Sequence, residues 1–385
     1  MKYLTLLVFL VATLSFAASL SSSSVVDDIK PQKIQCPCSN KTLCQPINPG
    51  NERKELFIFS IVQGNYKYYD WSQITTYAVF YPDPVGEALC VAHENNARLV
   101  FQASYPLLQL TNSTYKKEWI KQQIDLVENN YADGINIDFE ASINDTQNEL
   151  SALYTALVAE VSLAMKKVNP NYQVTVDVPY APYCTFGRCY DYLGLSQAAD
   201  FLVLMFYDLF GSYPANPCIA GPNSPLLLVP EGLENFTLTG VTKDKLVMAI
   251  PWYGYTYKCQ NATNLNLEDC SLEQNVNGQV TCPHPMVSMD YGAIVNMIQD
   301  PKNKTSGPLW SDKYSSVYLN YVDQQETIHQ VWYDDEETIE LKVNIAKKYS
   351  IRGISSWNAD QLDYSDKISS SLMWDSFKPF FEQQM

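Results

Sequence analysis

Short apolar, β-rich runs alternate along the chain with longer segments whose apolar residues recur every three or four positions. Eight runs have the length and composition of buried strands: Leu56–Val62, Thr76–Phe80, Arg98–Gln102, Gly134–Phe139, Gln173–Val178, Phe201–Phe206, Leu246–Ile250 and Gly353–Trp357. Helical spacing lies between several of them, as in Glu118–Tyr131 and Asn148–Lys167. Strand alternating with helix favours a parallel sheet.

Eight strands favour an α/β fold that closes into a (β/α)8 TIM barrel of about 250 residues. The chain has 385 residues, and residues 19–385 are predicted to form this single domain. The surplus is best placed between the seventh and eighth strands, in about 253–349, where cysteines and turn residues predict a disulfide-tied insertion. An open doubly wound sheet is the alternative, but its glycine-rich phosphate loop is missing after the first strand.

The segment Asp133–Glu140 interleaves polar residues with bulky apolar ones. Because successive strand residues point to opposite faces, Asn136, Asp138 and Glu140 are predicted to point into the barrel. Burying carboxyls costs free energy unless they are hydrogen-bonded or do chemistry. Glu140, last on the strand, falls at the C-terminal rim where barrel enzymes keep their active sites. Crowding against Asp138 makes one of the two a candidate general acid; a solvated acidic turn is the alternative.

The first 18 residues carry Lys2, the apolar run Leu4–Leu14 and small residues at the end, a pattern typical of a cleaved signal peptide. The run is shorter than the roughly 20 residues of a spanning helix, which argues against a membrane anchor. A secretory route permits disulfides among the ten cysteines, whose pairing the sequence leaves open. Their spacing and the three histidines do not fit a metal site, so we predict neither a metal nor a cofactor.

The net charge of −16 argues against phosphate backbones and anionic lipids as partners. We therefore expect no nucleic acid and no membrane partner, and we expect a monomer. N-x-[ST] sequons predict surface glycosylation at Asn40, Asn112, Asn144, Asn235, Asn261 and Asn303.

The eight residues Asp133–Glu140, here called the acidic octet, resemble the D-x-x-D-x-D-x-E signature of the family-eighteen chitinase-like glycoside hydrolases. Asp133, Asp138 and Glu140 match this signature. Asn136 departs from the signature, since an amide can hydrogen-bond Asp138 but cannot share a proton or carry charge. That departure resembles the di-N-acetylchitobiase branch of the family. The other matching segments are Cys36–Cys38 with Cys44, Tyr69–Thr76, Pro251–Tyr255, His329–Asp334 and Arg352–Ala359. The family's S-x-G-G pattern is missing on the third strand, which weakens a generic chitinase assignment.

The resemblance implies substrate-assisted catalysis, with Glu140 as the proton donor and Asp138 supporting the substrate's 2-acetamido group. Tyr207, in the element Met205–Asp208, would donate its hydroxyl to the acetamido oxygen. The implied substrate-binding residues are Trp357 as the floor under the sugar, Asp208, Asn136 and Trp252. Core packing is the alternative for both tryptophans.

The resemblance also implies the substrate class, oligosaccharides that contain N-acetylglucosamine (GlcNAc). A chitobiase-like exoenzyme would split the β-1,4 GlcNAc-GlcNAc core at the reducing end of released glycans. It would act in the lysosome or, alternatively, outside the cell. The other hypotheses are a secreted endochitinase and a non-catalytic chitinase-like lectin. Such lectins usually lose the acid, whereas Glu140 is present.

Overall fold

The eight predicted strands form a closed parallel barrel in the computed structural model, which describes residues 34–48, 53–81, 85–210, 218–277, 279–282 and 287–382. The strands in chain order are β1 (Glu55–Ser60), β2 (Thr76–Val79), β3 (Arg98–Ala103), β4 (Gly134–Ile137), β5 (Gln173–Pro179), β6 (Phe201–Met205), β7 (Leu246–Pro251), β8 (Tyr253–Lys258), β9 (Gln274–Val276), β10 (Gln279–Thr281), β11 (Val287–Asp290), β12 (Leu309–Ser311), β13 (Ser316–Val322), β14 (Ile328–Tyr333) and β15 (Gly353–Trp357). The barrel order is β1-β15-β7-β6-β5-β4-β3-β2, so the TIM barrel is confirmed.

Helices cover the outside of the barrel between most successive strands. They are α1 (Glu87–Glu94), α2 (Ser113–Asn129), α3 (Asn148–Val168), α4 (Tyr192–Ala198), α5 (Leu228–Leu238), α6 (Tyr291–Gln299), α7 (Glu336–Tyr349), α8 (Lys367–Asp375) and α9 (Lys378–Phe381). Helix α2 begins five residues before the predicted Glu118. The reason is its N-cap, where the Asn112 side chain accepts a hydrogen bond from the Tyr115 N–H at 3.1 Å.

The surplus residues between β7 and β15 form the predicted insertion. Its main part is a five-stranded antiparallel sheet in the order β11-β8-β14-β13-β12, with β9 and β10 as a separate hairpin. Cys259–Cys270 closes a loop within the insertion, and Cys218–Cys282 ties it to the segment after β6. The remaining pairs are Cys36–Cys44, Cys38–Cys90 and Cys184–Cys189, so all ten cysteines are bridged.

Strand β4 presents opposite faces to the two layers of the core, as its alternation predicts. Ile135 and Ile137 join the outer layer, where Phe139 stacks on Tyr154 of α3 with ring centroids 4.2 Å apart. Asn136 points inward and is fully buried. The strand ends at Ile137, so Glu140 lies three residues beyond it, whereas the sequence places it on the last strand position.

Two predictions from the sequence concern the surface and the leader. The predicted signal peptide, residues 1–18, lies outside the described residues. Within the described part of the chain, every helix is too short or too polar to cross a membrane. The sequon asparagines are exposed except Asn235, which is half-buried on α5, so their glycosylation stays a prediction.

Asp133, the first carboxylate of the signature, stabilises the fold at the N-terminal end of β4. It is fully buried and accepts hydrogen bonds from the Leu99 N–H at 2.7 Å and the Ile47 N–H at 2.8 Å. His93 Nε2 lies 2.8 Å from the same carboxylate, and its Nδ1 lies 2.6 Å from the Leu43 carbonyl oxygen. Burial lowers the pKa of His93, but Asp133 outweighs burial and the net shift is upward. The residue therefore binds the N-terminal segment and α1 to the barrel.

Replacing Asp133 by Asn should lower the free energy of unfolding by about 3 kcal/mol at about pH 5, because a buried partner charge is lost. The loss should shrink at about pH 8. A raised His93 pKa stabilises the fold below its unfolded value, and this contribution disappears as pH rises through the folded value. Urea denaturation at both pH values measures the difference.

The matched control is Asp125→Asn on α2, whose partner Lys121 is largely exposed. It should change stability by less than about 0.5 kcal/mol at either pH. An Asp133→Asn loss of the same size at both pH values would contradict a charged His93–Asp133 pair.

Candidate active site

Asp138 and Glu140 follow β4 directly at the C-terminal end of the barrel. Gln102 of β3 donates its Nε2 hydrogen to Asp138 Oδ2 at 3.3 Å, and Glu140 is close enough for its charge to act on the Asp138 carboxyl. Burial first, and then the charge of Glu140, raises the pKa of Asp138 to about 6. The two carboxyls thus lie on the same side of the sheet and share a site in which one of them keeps its proton at mildly acid pH.

Arg188 is an ion-pair partner of Glu140 that the sequence did not reveal. Its Nη2 atom contacts Glu140 Oε2, with the Arg188 side chain 14% exposed and that of Glu140 49% exposed. Arg188 lies in the loop closed by Cys184–Cys189, where Cys184 and Phe186 adopt left-handed backbone angles (φ 61° and 55°). The close spacing of the two cysteines after β5 indicates a tight loop at this rim, but nothing in it identifies the arginine.

Tyr207 and Asp208 follow β6 at the same end of the barrel. Tyr207 is buried, and burial followed by the charges of Asp177 and Asp208 raises its pKa well above the usual range. Asp208 has a left-handed backbone (φ 60°), and its Oδ1 accepts hydrogen bonds from the hydroxyls of Tyr253 and Tyr255. The insertion strand β8 therefore fixes the orientation of the Asp208 carboxylate.

Trp357 ends β15 on the inner side of the barrel. Its ring packs edge-on against Phe59 and Phe80 at 5.1 Å and 5.2 Å between centroids, and it lies nearly parallel to Tyr207 at 6.4 Å. The Trp357–Asn358 peptide bond is cis. The indole is half-buried, so part of it remains open to a ligand beside Tyr207.

Trp252 is not in the site, which corrects its assignment as a sugar contact. Its side chain is fully buried and stacks on Phe377 at 5.6 Å, with Trp374 edge-on at 5.0 Å. Trp252 directly follows Pro251 at the end of β7, and its side chain faces the outer layer near α8. Trp252 is therefore a core-packing residue, which was the alternative to sugar binding in the sequence analysis.

Asp177 of β5 is a second residue that the sequence analysis missed. It is 3% exposed, and its Oδ1 accepts a hydrogen bond from Asn136 Nδ2 at 3.0 Å. Burial first, and then the charge of Asp138, raises the pKa of Asp177 well above its usual range. A polar residue at alternate positions of the run Gln173, Thr175, Asp177 was the available signal, since it marks an inward row like that of β4.

The comparison with known protein families agrees with an acidic site at the C-terminal end of the barrel. Residues 101–361, which run from β3 to just beyond β15, match Glycosyl hydrolases family 18. The chain is therefore a glycosidase by class. It belongs to glycoside hydrolase family 18, and the resemblance seen in the acidic octet is confirmed.

Relatives of known name cover nearly the whole chain. "Probable di-N-acetylchitobiase 2" of Dictyostelium discoideum is 40% identical over 357 residues, which cover 90% of this chain and 91% of the relative. "Di-N-acetylchitobiase" of Mus musculus is 38% identical over 350 residues, with 89% and 93% covered. The Homo sapiens protein of the same name is 36% identical over 349 residues, with 89% and 88% covered.

Solved structures of lower sequence identity share the fold. A mutant class V chitinase from Nicotiana tobaccum in complex with NAG4 superposes with a TM-score of 0.68 at 17% identity, covering 86% of this chain and all of the other. The C-terminal domain of a chitinase from Desulfitobacterium hafniense gives a TM-score of 0.67 at 17% identity over 86% of this chain and 100% of that domain. At this identity the likeness supports the barrel fold alone.

Replacing Arg188 by Met should move the alkaline limb of kcat/KM upward by about half a pH unit. The guanidinium lowers the pKa of Asp138. Its removal leaves Asp138 protonated to higher pH, and an essential acid sets the alkaline limb. The shift is small because the ion pair is partly exposed. A pH profile on a chromogenic GlcNAc glycoside measures it.

Arg188→Lys is the matched control, because it keeps the positive charge and should keep the limb of the unmodified enzyme. If the Met and Lys variants shift the alkaline limb equally, the charge of Arg188 does not determine the position of that limb.

Proposed function

We propose that this enzyme hydrolyses the β-1,4 bond of GlcNAc-GlcNAc at the reducing end of oligosaccharides, by substrate-assisted catalysis. The observation that supports it most is the proximity of Asp138 and Glu140 just beyond β4, where the charge of Glu140 raises the pKa of Asp138. In the usual retaining scheme a carboxylate nucleophile lies about 5 Å from the acid, across the sugar. Residues 101–361 match family 18, which is an exception to this scheme, so the nucleophile is best supplied by the substrate.

In the first step Glu140 donates its proton to the glycosidic oxygen, and the bond from this oxygen to the anomeric carbon breaks. The acetamido oxygen of the same sugar bonds to the anomeric carbon and forms an oxazolinium ion. The two carboxyls share one proton in the free enzyme. When that proton is on Glu140, Asp138 is the anion that stabilises the positive charge developing on the acetamido nitrogen. Water then gives a proton to ionised Glu140 and attacks the anomeric carbon from the face that the leaving group vacated. The bond from the acetamido oxygen to that carbon breaks, which restores the acetamido group, and the configuration is retained.

The residues around this pair suit the acetamido sugar. Tyr207 donates its hydroxyl to the acetamido oxygen, and its raised pKa keeps that proton in place. Trp357 forms a flat apolar floor under the sugar's C–H groups. Asp208, fixed by Tyr253 and Tyr255, accepts a hydrogen bond from the sugar when the ring distorts.

Glu140→Gln should lower kcat by at least about 100-fold, because the amide cannot donate the proton that the leaving group needs. GlcNAc-oligosaccharide binding, measured by isothermal calorimetry, should persist, since the shape of the side chain is kept. The matched control is Glu340→Gln on the exposed side of α7, which should leave kcat unchanged. Unchanged turnover in the Glu140 variant would refute the mechanism, and binding without turnover in the unmodified protein would indicate a lectin.

Reducing-end action rests on the likeness to proteins named di-N-acetylchitobiase and is tested by product order. With chitotetraose isotopically labelled in its reducing-end sugar, we expect labelled GlcNAc and unlabelled chitotriose as the first products. Mass spectrometry over the first few per cent of reaction distinguishes the outcomes. Chitobiose as the first product would instead assign the enzyme as an endochitinase.

The predicted secretory leader, the sequons and the five disulfides support a site of action reached by the secretory route. We propose the lysosome, where a carboxyl pKa of about 6 in the site is matched to the acid pH.

A further inference from the structure

The amide of Asn136 has a fixed orientation inside the barrel. Its Nδ2 donates hydrogen bonds to Thr175 Oγ1 at 2.9 Å and to Asp177 Oδ1 at 3.0 Å, both on β5. The amide oxygen is therefore turned away from β5. It is buried and has no hydrogen-bond donor among the described residues.

Asp138 is the next inward-facing residue after Asn136 and lies just beyond the end of β4. It also has a buried oxygen without a hydrogen-bond partner among the described residues. Its Oδ2 accepts from Gln102, while its Oδ1 is buried without a donor in the described part of the chain. A proton on Asp138 makes that carboxyl a donor, which an amide oxygen can accept. An NH2 group in the same place would instead stabilise the anion. The orientation of the Asn136 amide thus decides which form of Asp138 is favoured.

We propose that Asp177 is a positioning residue that turns the NH2 group of Asn136 toward β5 and leaves the amide oxygen for Asp138. This inference rests on the catalytic role proposed for Asp138. The family signature has a carboxyl at position 136. In this chain the carboxyl is that of Asp177 on the neighbouring strand β5, and it acts through the amide of Asn136.

The packing of β4 against β5 makes this arrangement possible. Asn136 is in register with Thr175 and Ile137 with Val176, so the next inward residue of β5 is Asp177. Gly134 begins β4 with φ +147°, and a Cβ there would lie 1.9 Å from the Gln173 carbonyl oxygen. Only glycine allows this close approach of the two strands.

Asp177 can orient the Asn136 amide because its carboxyl accepts a hydrogen bond without adding a negative charge to the site. Burial raises its pKa well above the usual range, so the neutral form persists at acid pH. A neutral carboxyl still accepts from Asn136, and it adds no second anion beside Asp138. The titratable groups whose charges act on Asp138, or on which Asp138 acts, are Glu140, Arg188, Asp177, Tyr154, Tyr190 and Tyr207.

The experiment compares Asp177→Leu with Asp177→Asn in the full-length enzyme. Leucine has a similar branched shape but no acceptor. Among the described residues only the Thr175 hydroxyl then remains for the NH2 group, so a flipped amide that stabilises the Asp138 anion becomes more favourable. We expect the alkaline limb of kcat/KM on chitobiose to move about one pH unit or more toward acid. Asparagine keeps an oxygen for the Asn136 NH2 group and should hold the limb within about 0.3 units of the unmodified enzyme.

Asn136→Leu tests the same pair from the other side and replaces Asp177→Leu if that variant does not fold. It removes both the oxygen and the NH2 group, so its limb should lie between those of the unmodified enzyme and Asp177→Leu. The double variant should match Asn136→Leu, because Asp177 acts only through the amide. Circular dichroism and thermal melting confirm that each variant is folded.

The outcomes separate this inference from the function on which it rests. An unmodified enzyme that does not hydrolyse chitobiose refutes the proposed function. An active enzyme whose alkaline limb is the same in Asp177→Leu, or in Asn136→Leu, refutes only the role of Asp177. Equal shifts in the Leu and Asn variants at 177 also refute it, because they would assign the effect to the carboxyl itself.

Discussion

The cost of burying carboxyls inside a closed barrel governs the structure of this site. Asp138, just beyond β4, and Asp177, on the neighbouring β5, lie in a barrel interior where desolvation opposes the charged form. The chain offsets this cost with hydrogen bonds from neutral donors, Gln102 and Asn136, rather than with buried cations. Arg188, whose charge acts on Asp138, forms its ion pair with the half-exposed Glu140 at the rim. The buried carboxyls of Asp138 and Asp177 therefore keep their protons to higher pH than exposed carboxyls do.

The acidic octet runs from one end of the barrel to the other, and the residues at its two ends have different roles. Asp133 lies before β4 and holds backbone N–H groups and His93, so it stabilises the fold. Glu140 lies beyond the strand and remains half-exposed, open to a ligand. A single signature thus combines a folding element at the N-terminal end with reactive groups at the C-terminal end, the usual division in a TIM barrel.

Segments outside the barrel hold the reactive residues in place. The disulfide loop after β5 carries Arg188 to Glu140, and the insertion strand β8 supplies the two tyrosine hydroxyls that bind Asp208. Rigid support of this kind limits the loss of side-chain entropy when a substrate binds. The insertion thus contributes to the site as well as to the outer surface.

The sequence by itself determined the elements whose physics is local. Short apolar, β-rich runs placed all eight barrel strands to within a few residues, and the period-two alternation of the acidic strand assigned Asn136 and Asp138 to the inner face. The family likeness located Tyr207, Asp208 and Trp357, which the structure brings to the same end of the barrel. Only the tertiary structure decided which residues meet across strands and loops. Arg188 and Asp177 contact the octet from about 40 to 50 positions away, and Trp252 faces the outer core. Such contacts depend on barrel closure and register, which relate residues distant in the chain and leave no local periodicity to detect.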